Sequence, residues 1–386
     1  MALVAVFAGF QWFRPIPSPV FHSNLSTSVR LPGAAPPLLW PPTGSAALSV
    51  AGAGSLGHVG SIHPVPIAGL AKVMTAYVIL QDHPLGLDAA GPAIPVTPAT
   101  IAAAREEAAT QQSVVPVVAG ETMTELQALE GLLVAQGNDI ATLLTDWDAS
   151  STTAFVAKMN TAARVMGLGS TKFTDPSGLD PGSVSVPADM IRLGEVAMAI
   201  PTFRQLVALP QVTLPVAGLV YNVDYDVGHD GIVGIKTGTD AAAGGCFLFE
   251  AQKTVGGSVV TLVGAVLGQN GTSHITSALY DADLMVKAAF AAIRTVPLVP
   301  PGHLVGTIVA AWGASVPVTA ESSRIVGWPG LTVPVRMGVG VLSSAISSGN
   351  RIGVLRADID GQHIDVVLRV SRRLPSPSPI WRLTRS

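Results

Sequence analysis

The period of the apolar positions changes along the chain, and each change marks an element. Across 46–56 short apolar stretches broken by Gly read as a hairpin. Ile67, Leu70, Val73, Met74, Tyr77 and Val78 then recur at helical spacing and predict a mostly buried helix. A second helix is expected from Thr124, because Thr124 and Gln127 have the spacing of a capping box and Leu126, Leu129 and Leu133 line one side after them. It stops at Gln136-Gly137-Asn138. The stretch 154–166 is a third, with Phe155, Met159 and Val165 on one face and Gly167 and Gly169 at its end. After Pro210 the period shortens. Ile232, Val233 and Ile235 lead into Lys236-Thr237-Gly238, and a Gly-containing turn separates these from Phe247-Leu248-Phe249 and 259–267, which read as adjacent antiparallel strands. Beyond about Val296 the helical period is gone. Short apolar runs alternate with Gly, Pro and Ser, and Asp360-Gly361 sits as a hairpin turn between 352–357 and 364–370. The expected fold class is α+β: a helical lobe between two sets of strands, followed by a small all-β domain over 296–386.

The N-terminal end has a different texture. Residues 1–13 are almost wholly apolar, yet they fall short of the roughly 20 needed to span a bilayer and lack the leading positive charge of a signal peptide. They are expected to be the remnant of an anchor, a buried first element being the alternative. The stretch 14–44 carries Pro15, Pro17, Pro19, Pro32, Pro36, Pro37, Pro41 and Pro42 among Ser and Thr, a composition that predicts a semi-rigid spacer.

Composition narrows the classes. Only 12% of the 386 residues are charged and the net charge is -3, so nucleic acid is not an expected partner. Cys246 is the sole cysteine, which excludes a disulfide framework or a thiolate metal cluster within one chain. The histidines form no His-Glu-x-x-His, and neither a metal nor another cofactor is expected.

Taken singly, the polar residues on these elements have ordinary explanations: Lys72 as a snorkelling lysine, Asn138 as a cap for 139–147, Lys236-Thr237-Gly238 as a turn. Their order is more specific. Gly69-Leu70-Ala71-Lys72, Gln136-Gly137-Asn138 and Lys236-Thr237-Gly238 resemble, in sequence and spacing, the Ser-x-x-Lys, Ser-x-Asn and Lys-Thr-Gly motifs of the serine D-alanyl-D-alanine carboxypeptidases, a penicillin-binding family. The neighbouring words are similar as well: Lys72 to Tyr77, Gly137-Asn138-Asp139, Phe173 to Asp180, and Gly234 to Thr239. The resemblance covers 46–290. It implies a penicillin-binding or serine β-lactamase-like fold over 45–295, an extracytoplasmic place at the cell envelope with the N-terminal segment at a membrane surface, and peptidoglycan stem peptides ending in D-Ala-D-Ala as ligands. It also implies β-lactams as ligands, held here without a covalent bond because position 69 offers no nucleophile.

Roles follow only where the family's residue survives. The resemblance makes Lys72 the proton acceptor, Asn138 the partner of the substrate amide, and Lys236 and Thr237, with Gly238 beside them, the holders of the terminal carboxylate. The backbone N–H groups of Gly69 and Thr239 would form the oxyanion hole. Two positions depart, and both lose a hydroxyl: Gly69 stands where the nucleophilic Ser belongs, and Gln136 where the second-motif Ser does. The residues three before each lysine are Gly69, Phe155, Gly169, Val233, Glu250 and Leu284, none of them Ser, Thr or Cys. Loss of such a nucleophile costs on the order of a millionfold in turnover. Three readings stand: a catalytically impaired homologue that binds stem peptides, a working carboxypeptidase with another nucleophile such as Ser61 or Thr75, and a structural partner of the wall-synthesis machinery.

Overall fold

The helix Ala71–Asp82 is buried on every side, Lys72 and Thr75 included, so it forms the axis of a lobe and not a surface helix. The computed structural model describes residues 2–359 and 362–385. Around this axis pack the helices Glu125–Leu133, Asn138–Ala149, Thr152–Met166, Pro187–Met198 and Pro201–Val207. Their ends follow from local chemistry. The Thr124 hydroxyl accepts the N–H of Gln127 while the Gln127 side chain accepts the N–H of Thr124, and Gly167, at φ 78°, closes Thr152–Met166 in the left-handed conformation.

The lobe lies on a five-stranded antiparallel sheet in the order Ile232–Asp240, Gly244–Val255, Ser258–Gln269, Ser45–Val50, Gly54–Val59. Pro187–Met198 contacts Ser258–Gln269 and Ser45–Val50 directly. The strand carrying Lys236, Thr237 and Gly238 is therefore an edge, paired on one side only, with Thr237 opposite Phe247. The expected α+β class, a helical lobe on an antiparallel sheet, is the observed one.

The chain divides into two compact units, Pro37–Ala291 and a second made of the residues up to Pro36 with those from Ala292 onward. The second unit holds a seven-stranded sheet in the order Val20–Ser23, Leu304–Val309, Ser315–Ala320, Gln362–Val370, Arg351–Ile359, Thr332–Val339, Ser28–Arg30. Where composition predicts a spacer over 14–44, the structure has the two edge strands of this sheet. The physical reason is that 20–31 is free of proline, and an edge strand needs a ladder on one side only. The division also falls at 291/292 and includes the N-terminal residues, unlike the expected 45–295 and 296–386. Nor is the C-terminal part wholly β: Ser378 caps a short helix, Pro379–Thr384, with proline at its first turn. Asp360 and Gly361, expected as a hairpin turn, lie outside the described residues; the strands flanking them pair antiparallel with Ile359 opposite Gln362.

The apolar N-terminal segment is a helix, Ala2–Phe13, which contacts Pro379–Thr384 and leaves Phe7, Phe10 and Phe13 exposed. Among the described residues no helix is long and apolar enough to cross a membrane.

Candidate active site

Three short segments of the Pro37–Ala291 unit meet where the lobe faces the edge strand. The first is a 3-10 turn, Ala68–Leu70, that feeds directly into Ala71–Asp82. Gly69 lies in that turn and Lys72 in the first turn of the helix, as the spacing predicts. The turn is clamped by glycines on both sides. A Cβ on Gly178 would stand 1.8 Å from the Ala68 carbonyl oxygen, and one on Gly238 would stand 2.6 Å from the Gly69 nitrogen. Only residues without side chains permit that approach.

The second segment is the junction of Glu125–Leu133 and Asn138–Ala149. Gln136 takes a left-handed backbone, φ 66°, which turns the chain between the two helices. Asn138 opens the second helix, but its side chain does not serve as a cap: its Oδ1 accepts from Lys72 Nζ at 2.6 Å. Lys72 Nζ also donates to the Ser177 carbonyl at 3.0 Å. The third segment is the edge strand, where Lys236 Nζ donates to the Thr237 carbonyl at 3.0 Å.

Between the segments is a cleft of about 70 Å³ whose walls include Gly69, Lys72, Gln136, Asn138, Gly238 and Thr239. Six of the eight residues singled out from sequence thus line one cavity. Lys236 and Thr237 are buried, each 1% exposed, and are not among the lining residues. Gln136 crosses the gap, and its Nε2 donates to Thr237 Oγ1 at 2.6 Å. Of the nucleophiles considered from elsewhere, Thr75 is buried and donates to the Pro176 carbonyl, while Ser61 accepts from the His63 N–H; neither is among the residues lining the cleft.

Burial dominates the electrostatics. It lowers Lys72 from 10.5 to about 8, the carboxylates of Asp175, Glu107 and Asp139 resisting the shift. Burial also depresses Lys236 well below its ordinary value, helped by the positive charge of Lys72 and opposed by Asp224. Structure adds acids that the motifs do not reveal. Asp139 is raised to about 6 by burial and Glu107 to about 7 by burial and then by Asp139. Asp224 is raised to about 7, again chiefly by burial. Asp139 Oδ2, Glu107 Oε2 and Asp224 Oδ2 are buried without a hydrogen-bond partner among the described residues. Asp175 instead organises its own loop, its Oδ2 accepting from the N–H groups of Ser177, Gly178 and Leu179. The Thr97-Pro98 pair was the available signal for the helix Pro98–Ala109 that carries Glu107. Nothing in the sequence places that carboxylate near Lys72. Among the described residues no three His, Cys, Asp or Glu side chains converge as metal ligands.

A lysine that is half neutral near pH 8 is a competent proton acceptor, but the Gly69 position beside it offers no atom to deprotonate.

Comparison with known proteins gives a consistent result. A family model described as D-alanyl-D-alanine carboxypeptidase matches residues 60–270. The D-alanyl-D-alanine carboxypeptidase of a Streptomyces strain is 32% identical over 215 residues, 51% of this chain and 70% of the relative. One from Mycobacterium tuberculosis is 31% identical over 216 residues, 54% of this chain and 70% of the relative. Among solved structures, the Streptomyces DD-transpeptidase superposes with a TM-score of 0.57 at 27% identity, covering 67% of this chain and 100% of that one. Penicillin binding protein 5 from Haemophilus influenzae superposes with a TM-score of 0.61 over 89% of this chain and 100% of its own, and at 20% identity it speaks to fold alone.

Proposed function

The chain belongs to the D-alanyl-D-alanine carboxypeptidase family, and from that premise we propose that it is a member that has kept ligand recognition and lost bond making: a receptor for peptidoglycan stem peptides ending in D-Ala-D-Ala. The observation that carries this reading is the surroundings of Lys72. Its ammonium is held by Asn138 Oδ1 and the Ser177 carbonyl, and no side-chain hydroxyl is among its partners. The Ser177 hydroxyl donates away from it, to Asp175 Oδ2 at 2.7 Å. Acyl transfer needs an oxygen or sulfur that can part with its proton, and an oxyanion hole cannot supply one. Binding groups remain on the cleft wall: Asn138 for an amide and the N–H groups of Gly69 and Thr239 for a carbonyl oxygen, while Lys236 and Thr237, the family's carboxylate holders, are buried and do not line it. Family membership supports an extracytoplasmic site of action, and the exposed Phe7, Phe10 and Phe13 support placing the N-terminal helix at a membrane surface.

A fluorescent penicillin tests the reading. The expected outcome is no boiling-resistant adduct on the native chain and partial recovery of labelling in the Gly69→Ser, Gln136→Ser double variant. The rival reading, a working serine-type enzyme, rests on Ser113, an exposed hydroxyl on the cleft wall. A stoichiometric adduct that vanishes in Ser113→Ala would replace the receptor with that enzyme.

A further inference from the structure

The geometry points to Gln136 as the specificity-determining residue of this cleft, a fixed carboxamide that takes over recognition of the ligand's terminal carboxylate. The assignment rests on the receptor reading above and sharpens it. Thr237 is 1% exposed and is not among the residues lining the cavity, whereas Gln136, 7% exposed, lines it. On that wall a ligand therefore meets the Gln136 amide, with the exposed Thr239 beside it, in place of the Thr237 hydroxyl.

Its hydrogen-bond inventory says what it presents. A primary amide carries two N–H donors and one carbonyl acceptor. One donor is spent on Thr237 Oγ1 at 2.6 Å, which fixes the orientation of the amide plane. The second N–H of the same nitrogen is left for a ligand. Oε1 points back toward the 3-10 turn, lying 3.6 Å from where a Cβ on Gly69 would be. The acidic residue on the same cavity wall, Asp240, has its Oδ1 engaged by the N–H groups of Ala242 and Ala243. The left-handed backbone at Gln136 and the bond across the cleft pin this side chain at both ends. A serine here would be shorter and would carry a proton able to move. The carboxamide neither gains nor loses one near neutrality, so it donates to an anion without relaying a proton. The loss of a hydroxyl at 136 is thus also the gain of an anion donor.

Calorimetry on the full chain tests the assignment, using an N-acetylated tripeptide ending in D-Ala-D-Ala and the same peptide as its C-terminal carboxamide. The native protein is expected to favour the free carboxylate by about tenfold, the worth of one hydrogen bond to a charged group. Gln136→Ala is expected to lose that preference. Gln136→Glu, the same size and folded alike, is expected to abolish carboxylate binding while sparing the carboxamide. Thr237→Val removes the anchor and should match Gln136→Ala, with no further loss when the two are combined. No binding by the native protein overturns the receptor reading and this assignment with it. Native binding that Gln136→Ala leaves unchanged overturns the assignment alone. So does binding that Gln136→Ala tightens, since the side chain would then be a cover over Thr237.

Discussion

Gly69 and Lys72 show how one atom group decides a site. Burial shifts Lys72 to about 8, so an amine able to accept a proton stands beside Gly69, which has no side-chain hydroxyl to supply one. The shift is directly measurable, because the chain has six lysines and their side-chain carbons can be followed by NMR through a pH titration. The Lys72 resonance should titrate near pH 8, and Glu107→Gln should move that midpoint lower, since the Glu107 carboxylate favours the charged ammonium. An unmoved midpoint would remove Glu107 from the site. The same shifts give stability a pH dependence with a definite sign. Glu107 and Asp139 have folded values raised to about 7 and about 6, so their contribution is present below the ordinary carboxyl range and is lost as pH rises through those values. Lys72 is a base whose folded value is lowered, so its contribution grows from about pH 8 toward 10.5. Melting temperature should fall between about pH 4.5 and 7 and rise again above 8, with Glu107→Gln flattening the acid limb. Sequence made Lys72 and Asn138 legible because each belongs to a short word on one element. Glu107 was not, since it comes from a helix distant in sequence and acts through space.

At the scale of elements, what holds the site together is the approach of an edge strand to a helical turn. A Cβ on Gly238 would meet the Gly69 nitrogen at 2.6 Å, Gly69 Cα at 3.0 Å and the Leu70 nitrogen at 3.1 Å, all of them backbone atoms that cannot step aside cheaply. Gly238→Ala should therefore cost about 1–3 kcal/mol in urea denaturation, the usual range for overpacking, and should abolish the proposed peptide binding by opening the cleft. Unchanged stability would mean that the strand is not pressed against the turn. Gly69 is less constrained: a Cβ there would be 3.3 Å from the Thr237 carbonyl and 3.4 Å from Gly238 Cα. That is tight but open to small adjustment, which is why restoring a serine is a practical experiment. The capping box at Thr124, the Gly167 stop and the apolar strand runs broken by glycine turns were legible because each is a local rule acting within a few residues. The helix Pro98–Ala109 was missed because it is alanine-rich, with no stripe of large apolar residues to reveal its face.

For the whole molecule, the first 36 residues belong structurally with the last 95 or so, counted from Ala292, and not with the chain that follows them. Val20–Ser23 and Ser28–Arg30 close the two edges of the seven-stranded sheet. Deleting residues 1–31 should lower the calorimetric transition of that unit while leaving the transition of Pro37–Ala291, and peptide binding, in place; an equal shift in both would refute the division. Sequence by itself determined the identity of the fold, the order of the three motifs and the absence of a hydroxyl at position 69, because periodicity, turn chemistry and the presence of an atom are properties of the chain. Tertiary structure alone decided that Gln136 is tied to Thr237 across 101 residues, that Lys236 and Thr237 are buried off the cleft lining, and that the proline-free stretch 20–31 supplies sheet edges. Those outcomes depend on which surfaces exclude water together, and burial of that kind is set by packing between segments that share no local pattern.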